Sequence, residues 1–185
     1  GVSQFRDANP DGIDSDADRV AAGSALPTTI YNITGNLGYK GFTLDFTFNG
    51  VSGNKIYDNT ANSNFYKAKL FKSLNTTAAA IEYPNESENN PASVSTRYLK
   101  DGAFFRLNNV TLGYNLNTSM LGIGNWVRAV RFSVTGQNLF VIADYDGYDP
   151  EVNTDRTVNQ VTSYGIDYQS YPKARSIIFG LNVSF

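Results

Sequence analysis

The sequence predicts an all-β fold, and more specifically one part of a transmembrane antiparallel β-barrel with long extracellular loops. Three observations lead to this prediction. Five segments alternate apolar and polar residues, the connections between them alternate short and long, and their polar positions are mostly Ser, Thr, Asn, Gln and Gly. Alternation with a period of two indicates strands with one apolar and one polar face.

The five alternating segments define five predicted strands of about ten residues each. Within each segment the apolar residues stand two positions apart, as do Phe42, Leu44 and Phe46, and polar residues fill the positions between them. The predicted strands cover residues 29–39, 41–51, 104–116, 128–141 and 175–185.

The connection lengths indicate how this sheet is placed. The first connection is minimal, the second has about fifty residues, the third about a dozen and the fourth about thirty. Bacterial outer-membrane barrels have short periplasmic turns and long extracellular loops, and their strands cross the bilayer in about 9 to 11 residues. We therefore expect lipid on the apolar face, an aqueous lumen on the polar face, extracellular long loops and a periplasmic C-terminus.

Two other folds fit part of this pattern. A soluble secreted β-sandwich that binds carbohydrate or calcium would pack its apolar faces against each other. An outer-membrane barrel of another class, such as an adhesin, would share the membrane placement. Because the smallest known barrels need about eight strands, five strands cannot close one, and open edges in hydrocarbon would leave backbone groups unpaired. We therefore expect the chain to be part of something larger, and to aggregate or stay unfolded in detergent when it is produced alone.

Composition excludes several classes of function. The 185 residues contain no His and no Cys, which excludes thiol nucleophiles, imidazole bases and the usual zinc sites. The net charge of −2, without a basic cluster, argues against nucleic acid as a partner. No apolar run suggests a membrane-spanning helix, and residues 1–30 lack the pattern of a signal peptide. Catalysis would have to rest on carboxylates, Lys, Tyr or Ser, and because these residues form no recognisable catalytic framework, the chain is predicted not to be an enzyme.

An aspartate-rich stretch near the start, DANPDGIDSDAD, predicts a calcium loop. Its spacing is close to that of an EF-hand loop, with Gly12 at the sharp turn. The candidate ligands are the side chains of Asp7, Asn9, Asp11 and Asp18 and the carbonyl of Ile13, with Asp14 or Asp16 as substitutes. Bound Ca²⁺ would have a structural role. The alternative is a solvated acidic loop stiffened by Asx turns.

Two further stretches fall in the predicted loops. The segment ADYDGYDPEV carries the carboxylates Asp144, Asp146, Asp149 and Glu151. It is interpreted as a loop over the barrel mouth that meets substrate or a partner, or as a plain chain reversal made by Gly and Pro. Residues 64–83 are expected to form a short helix that aligns Phe65, Lys69 and Lys72, or to be ordinary loop packing.

Several motifs in fixed order resemble one protein family. They are YLKDGAFFRLNNVTLGYNL, VRFSVTGQNLFVIADYDGYDPEV and YPKARSIIFGLNVSF, preceded by FRDANPDGIDSDADR and NLGYKGFTLDFTFNGVSGNKIY. In this order they resemble the C-terminal end of SusC/RagA-type TonB-dependent outer-membrane transporters of Bacteroidetes. The resemblance covers most of the chain and is weakest over residues 60–94.

The resemblance implies a 22-stranded barrel with an N-terminal plug, of which this chain would supply the last five strands. It implies TonB-dependent import of oligosaccharides or peptides, together with a SusD-like surface lipoprotein. The expected partners are the remainder of the same transporter, that lipoprotein, membrane lipid, and TonB through a plug that this chain lacks.

Overall fold

A computed structural model describes most of the chain, in two compact units. The described residues are 6–12, 16–72, 74–82, 94–119, 122, 126–152, 157–158, 161–162 and 164–185. The first unit, here called the loop unit, comprises residues 1–26, 54–101 and 151–170, and the second, the sheet unit, comprises 27–53, 102–150 and 171–185.

Strands dominate the described residues. In chain order the elements are β1 (Thr29–Tyr39), β2 (Phe42–Ser52), β3 (Lys55–Asp58), α1 (Asn59–Asn64), α2 (Ala78–Glu82), β4 (Leu99–Asp101), β5 (Phe104–Leu116), β6 (Ala129–Ala143), β7 (Thr157–Val158), β8 (Val161–Thr162), β9 (Ile166–Asp167) and β10 (Ser176–Ser184). Short 3₁₀ helices cover Asp16–Asp18, Lys67–Lys72 and Thr96–Tyr98. In the part of the chain that is described, the helices are too short or too polar to cross a membrane.

The sheet unit is built on one antiparallel sheet with the strand order β1-β2-β5-β6-β10. The five segments picked out by alternation correspond to these strands, and the ends differ by one or two residues. Strands β1 and β2 are joined by a tight turn in which Lys40 and Gly41 both have positive φ, as two-residue hairpins require.

The register aligns like residues across the whole sheet. Leu37 lies opposite Leu44, which lies opposite Leu112, then Val134 and then Phe179. Because side chains alternate between the faces of a strand, this register gathers the apolar residues of all five strands on one face. The polar residues are gathered on the other face by the same geometry.

A bulge interrupts the alternation in the middle of the sheet. Leu107 lies opposite Phe140, whereas Asn109 lies opposite Gln137, so β6 carries one more residue than β5 across this interval. Within the interval Asn138 has a φ of +54°, in the left-handed region. A bulge bends the strand and redirects a side chain.

The loop unit has its own small core. Strand β3 lies between β4 and β9, antiparallel to the first and parallel to the second, and β7 pairs with β8. The side chains of Phe65, Ala80 and Tyr98 are buried together, and the Arg97 guanidinium lies 4.0 Å from the centre of the Phe65 ring. These short strands were not predicted, because two to four residues are too few to show a period.

Of the two interpretations of residues 64–83, the described residues agree with ordinary loop packing, and one helix that aligns Phe65, Lys69 and Lys72 does not form. The chain forms a 3₁₀ helix and then α2, and Phe65 caps the end of α1. The ammonium of Lys69 donates to the Ser63 carbonyl at 2.5 Å, while Lys72 is exposed. The three residues therefore do not share one helix face, because Phe65 packs in the small core and Lys69 bonds to the Ser63 carbonyl.

We predict that Gly50→Ala destabilises the sheet unit. A Cβ on Gly50 would stand 2.4 Å from the Phe104 carbonyl oxygen, and that oxygen accepts a hydrogen bond from the Tyr31 hydroxyl at 3.0 Å. The backbone at Phe104 cannot move away without a cost in energy, so the free energy of unfolding should fall by about 1–3 kcal/mol. Gly38→Ala is the matched control, because the nearest atom to its Cβ is 3.9 Å away. Equal thermal stability of the two variants, each measured in the intact receptor, would contradict the prediction.

Candidate functional site

The apolar face of the sheet is exposed. Leu37, Phe179 and Leu181 retain 60%, 78% and 64% of their accessible surface. In the described part of the sheet unit all strands belong to this single sheet, so no second sheet covers the face. Monomeric soluble proteins rarely expose contiguous apolar patches larger than a few hundred Å².

Aromatic side chains pack across the strands on this face without burying it. The rings of Phe48 and Phe105 stack at 5.0 Å, and those of Phe42 and Tyr114 meet at 4.5 Å. Such pairs contribute about 0.2–1 kcal/mol each to strand pairing. Burying one large apolar side chain would add about 1.5–3 kcal/mol, so an apolar environment would stabilise this face strongly. This disfavours the β-sandwich, whose faces would cover each other.

The polar face carries hydrogen bonds between neighbouring strands. The Thr111 and Thr135 hydroxyls lie 2.8 Å apart, and Asn36 donates its amide to Asp45. The guanidinium of Arg131 donates to the Thr43 hydroxyl at 2.8 Å, across the space left by Gly113. Apart from Arg131, these pairs use short polar groups, and all of them also bond readily to water, so this face suits an aqueous wall.

The aspartate-rich loop is held by side-chain to backbone hydrogen bonds. The Asp7 carboxylate accepts from the amides of Asp11, at 3.3 Å, and Gly12, at 2.7 Å. The Asp18 carboxylate accepts from the Ala8 amide at 2.7 Å, and the Asn9 amide group donates to Asp11 at 2.9 Å. Gly12 has a φ of +76°, as expected for the sharp turn. The side-chain oxygen of Asn9 also accepts from the Asp11 amide at 3.3 Å, which has the two-residue spacing of an Asx turn.

The proposed calcium ligands are therefore partly brought together. Asp7, Asn9, Asp11 and Asp18 are linked through these bonds, whereas Ile13 and Asp14 lie outside the described residues. No three acidic side chains in the described ranges stand close enough to form a metal cluster. Calcium binding stays a prediction.

The second acidic stretch is divided between solvent and interior. Asp144 and Asp146 are exposed, whereas Asp149 is 5% exposed and forms an ion pair with Arg106, which is 2% exposed. The guanidinium of Arg106 also donates to the side-chain oxygen of Asn138. Sequence reasoning did not single out Arg106 or Asn138. The signals were a cationic residue among the apolar residues FFRL and the break in alternation at GQNLF.

Polar side chains are also buried in the loop unit. Asp167 is 4% exposed and accepts from the Ser170 amide at 3.3 Å, and Asp58 caps α1 by accepting from the Ala61 amide at 2.8 Å. Burial raises the pKa of the Tyr57 hydroxyl above 10.0, although its hydrogen bond with Asn62 opposes this rise. These hydrogen bonds give partners to polar groups that are buried inside the loop unit.

Comparison with known proteins identifies the relatives of this chain. No family model matches it. TonB-dependent receptor P3 of Formosa agariphila is 34% identical, with 100% of this chain aligned to 19% of that protein. TonB-dependent receptor SusC of Bacteroides thetaiotaomicron is 25% identical over 99% of this chain and 18% of its own length. The chain is a homologue of TonB-dependent receptors.

This homology confirms the family resemblance inferred from the motifs. TonB-dependent receptors are outer-membrane proteins and are not enzymes, in agreement with the prediction that the chain is not an enzyme. A structure of the RagAB peptide transporter matches with a TM-score of 0.74 at 21% identity, over 94% of this chain and 19% of that one, which supports the receptor barrel fold. The chain spans about a fifth of the length of the curated relatives it matches.

Proposed function

We propose that this chain forms the last five strands of a 22-stranded barrel in a TonB-dependent transporter that imports nutrients across the outer membrane. The observation that carries the proposal is the exposed apolar face opposite a polar face across five paired strands. A bilayer would cover the first face and a hydrated lumen would meet the second. Homology along the whole chain supports the same assignment.

The outer strands of the sheet give the chain its place in a closed barrel. Within the described residues, β1 pairs only with β2 and β10 only with β6. Unpaired backbone groups in hydrocarbon cost several kcal/mol each, so each free edge must pair with another strand. In the proposed barrel, strands outside the given sequence pair with the free edges of β1 and β10.

The orientation follows from the connections. The tight turn at Lys40 and Gly41 and the connection over residues 117–128 lie in the periplasm, and the C-terminus lies on the same side. The long connections, which contain most of the loop unit, are extracellular. Solute would cross by a conformational change powered by TonB through the plug, and these residues would perform no covalent chemistry.

The substrate class that we propose is oligosaccharides or peptides, handled with a SusD-like surface lipoprotein. The names SusC and RagAB peptide transporter of the relatives support this choice. Several loop tyrosines are also exposed, among them Tyr148 at 78% and Tyr171 at 95%. Tyrosine faces stack on sugar rings, and the hydroxyl also bonds to peptide groups.

We also propose that the loop over residues 7–18 binds a structural Ca²⁺. The support is the ligand spacing, with Asp7, Asn9, Asp11 and Asp18 linked by hydrogen bonds. The Ile13 carbonyl is a further ligand expected from the sequence spacing alone. A cation would relieve the repulsion between these carboxylates. The ion would stiffen an extracellular loop and take no part in transport chemistry.

The membrane placement predicts which side chains a lipid-soluble reagent reaches. The chain has no Cys, so single cysteines can be placed on either face. In the intact receptor, Phe46→Cys, Phe132→Cys and Leu181→Cys should be labelled by a lipid-soluble diazirine, whose photogenerated carbene needs no thiolate, and should not react with a water-soluble maleimide, because hydrocarbon keeps the thiol protonated. The neighbours Thr47→Cys, Ser133→Cys and Asn182→Cys are matched controls and should react with a water-soluble maleimide. The opposite pattern would refute the proposal.

The transport function predicts TonB-dependent uptake. Cells that produce the intact receptor should accumulate a labelled oligosaccharide or a labelled peptide, and deletion of TonB should abolish this accumulation, because energy reaches the barrel only through the plug. Uptake that is equal with and without TonB would argue for a passive barrel. Correct membrane labelling without uptake of either solute would refute the substrate class while leaving the barrel assignment intact.

The calcium loop predicts a titration. The intact receptor should bind Ca²⁺ in isothermal titration calorimetry with a Kd of about 10⁻⁴–10⁻³ M, the range of extracellular calcium modules. The double variant Asp7→Ala, Asp11→Ala should lose this binding because it removes two of the carboxylate ligands. Asp144→Ala, which removes an exposed carboxylate elsewhere, should keep it. Binding that survives the double variant would place any calcium site elsewhere.

A further inference from the structure

One arginine lies at the centre of a buried polar group in the sheet unit. Arg106 is on β5 and Asp149 is in the stretch that follows β6, and both are almost fully buried. Their ion pair is joined by Asn138, whose side-chain oxygen accepts from the same guanidinium. The group therefore connects two places that are distant in sequence, and it brings together the motifs FFRL, GQNLF and GYDPE.

Asn138 extends the connection to a third segment. Its side-chain amide donates to the carbonyl of Lys173 at 3.0 Å and to that of Ala174 at 3.3 Å. These carbonyls belong to the stretch just before β10. Residues 144–150 and 171–175 are the two ends of the long connection between β6 and β10 that lie in the sheet unit, and the Arg106 group holds both.

The bulge explains how Asn138 reaches both partners. Its φ of +54° is rare for a residue with a side chain, and Asn is one of the few that adopt it at low cost. An Asn also has an acceptor for the guanidinium and a donor for the two carbonyls. An Asn at position 138 therefore fits both the positive φ and the two kinds of partner, Arg106 and the carbonyls before β10.

We propose that Arg106, Asn138 and Asp149 form a latch that fixes both ends of the β6–β10 connection to the sheet, with Arg106 as its hub. Removing one member of a buried ion pair is strongly destabilising, which favours opening of the surrounding structure. Loss of the Asp149 charge therefore loosens Arg106, and with it the bond to Asn138. The latch holds Tyr148 and Tyr171, both exposed, at the two ends of the connection.

Limited proteolysis of the intact outer-membrane protein tests the latch, because cleavage follows the population of the locally open state. Chymotrypsin reports on residues 144–150 through Tyr145 and Tyr148, and trypsin reports on residues 171–175 through Lys173 and Arg175. Asp149→Asn should speed cleavage at both pairs of sites by about 10- to 100-fold, the effect of losing one hydrogen bond to a charged group. Asp144→Asn, an exposed carboxylate in the same stretch, is the control and should change neither rate.

A second variant tests the bonds from Asn138 to residues 173 and 174 separately from the ion pair between Arg106 and Asp149. Asn138→Asp keeps an oxygen for Arg106 and tolerates positive φ, but it has no amide to donate to the Lys173 and Ala174 carbonyls. It should speed cleavage at Lys173 and Arg175 and leave cleavage at Tyr145 and Tyr148 unchanged. This variant decides the question even if Asp149→Asn fails to assemble.

Three outcomes would overturn the latch. The first is an Asp149→Asn protein with unchanged cleavage at all four sites. The second is faster cleavage of this variant at Tyr145 and Tyr148 alone, because the two ends of the connection would then be held independently. The third is an Asn138→Asp protein that is cleaved at Lys173 and Arg175 at the rate of the unmodified protein.

Discussion

The structure depends on one constraint, the pairing of backbone groups in a sheet whose apolar side has no cover of its own. Antiparallel pairing satisfies the inner strands and leaves one edge of β1 and one of β10 open within the described residues. The same pairing gathers Leu44, Leu112 and Phe179 on one exposed face. An apolar environment over the face and further strands at the two edges would stabilise such a sheet. The proposed barrel would provide both conditions.

The polar interactions of this sheet differ between its half-buried and its buried parts. On the polar face, small groups such as those of Thr111 and Thr135 bond across strands and leave room for water. Beyond the bulge, the larger and charged groups of Arg106 and Asp149 are buried and paired. A charge removed from water requires a partner, whereas a hydroxyl facing water does not. The bulge at Asn138 separates the half-buried hydroxyl pair from the buried ion pair.

The loops could be interpreted from the sequence only in part. In the stretch 7–18, the carboxylates of Asp7 and Asp18 accept backbone hydrogen bonds, an arrangement that fits both the calcium loop and the solvated loop that the sequence left open. Of the second acidic stretch, Asp149 is a buried ion-pair partner, although its pattern resembles that of the exposed Asp144. Sequence spacing cannot distinguish these two roles, because the difference lies in Arg106, which is 43 residues away. The sequence did not predict the short strands β3, β4 and β9, because they form only when distant segments pair.

By itself the sequence determined the strand segments, the division into an apolar and a polar face, and the family resemblance. These features are local, since a period of two and a fixed order of motifs are visible without any partner. Only the tertiary structure decided the register, the bulge at Asn138, the core around Phe65 and the burial of Arg106 with Asp149. Each of these depends on which distant residues come into contact, and a linear pattern contains no information about the partner that satisfies a buried group.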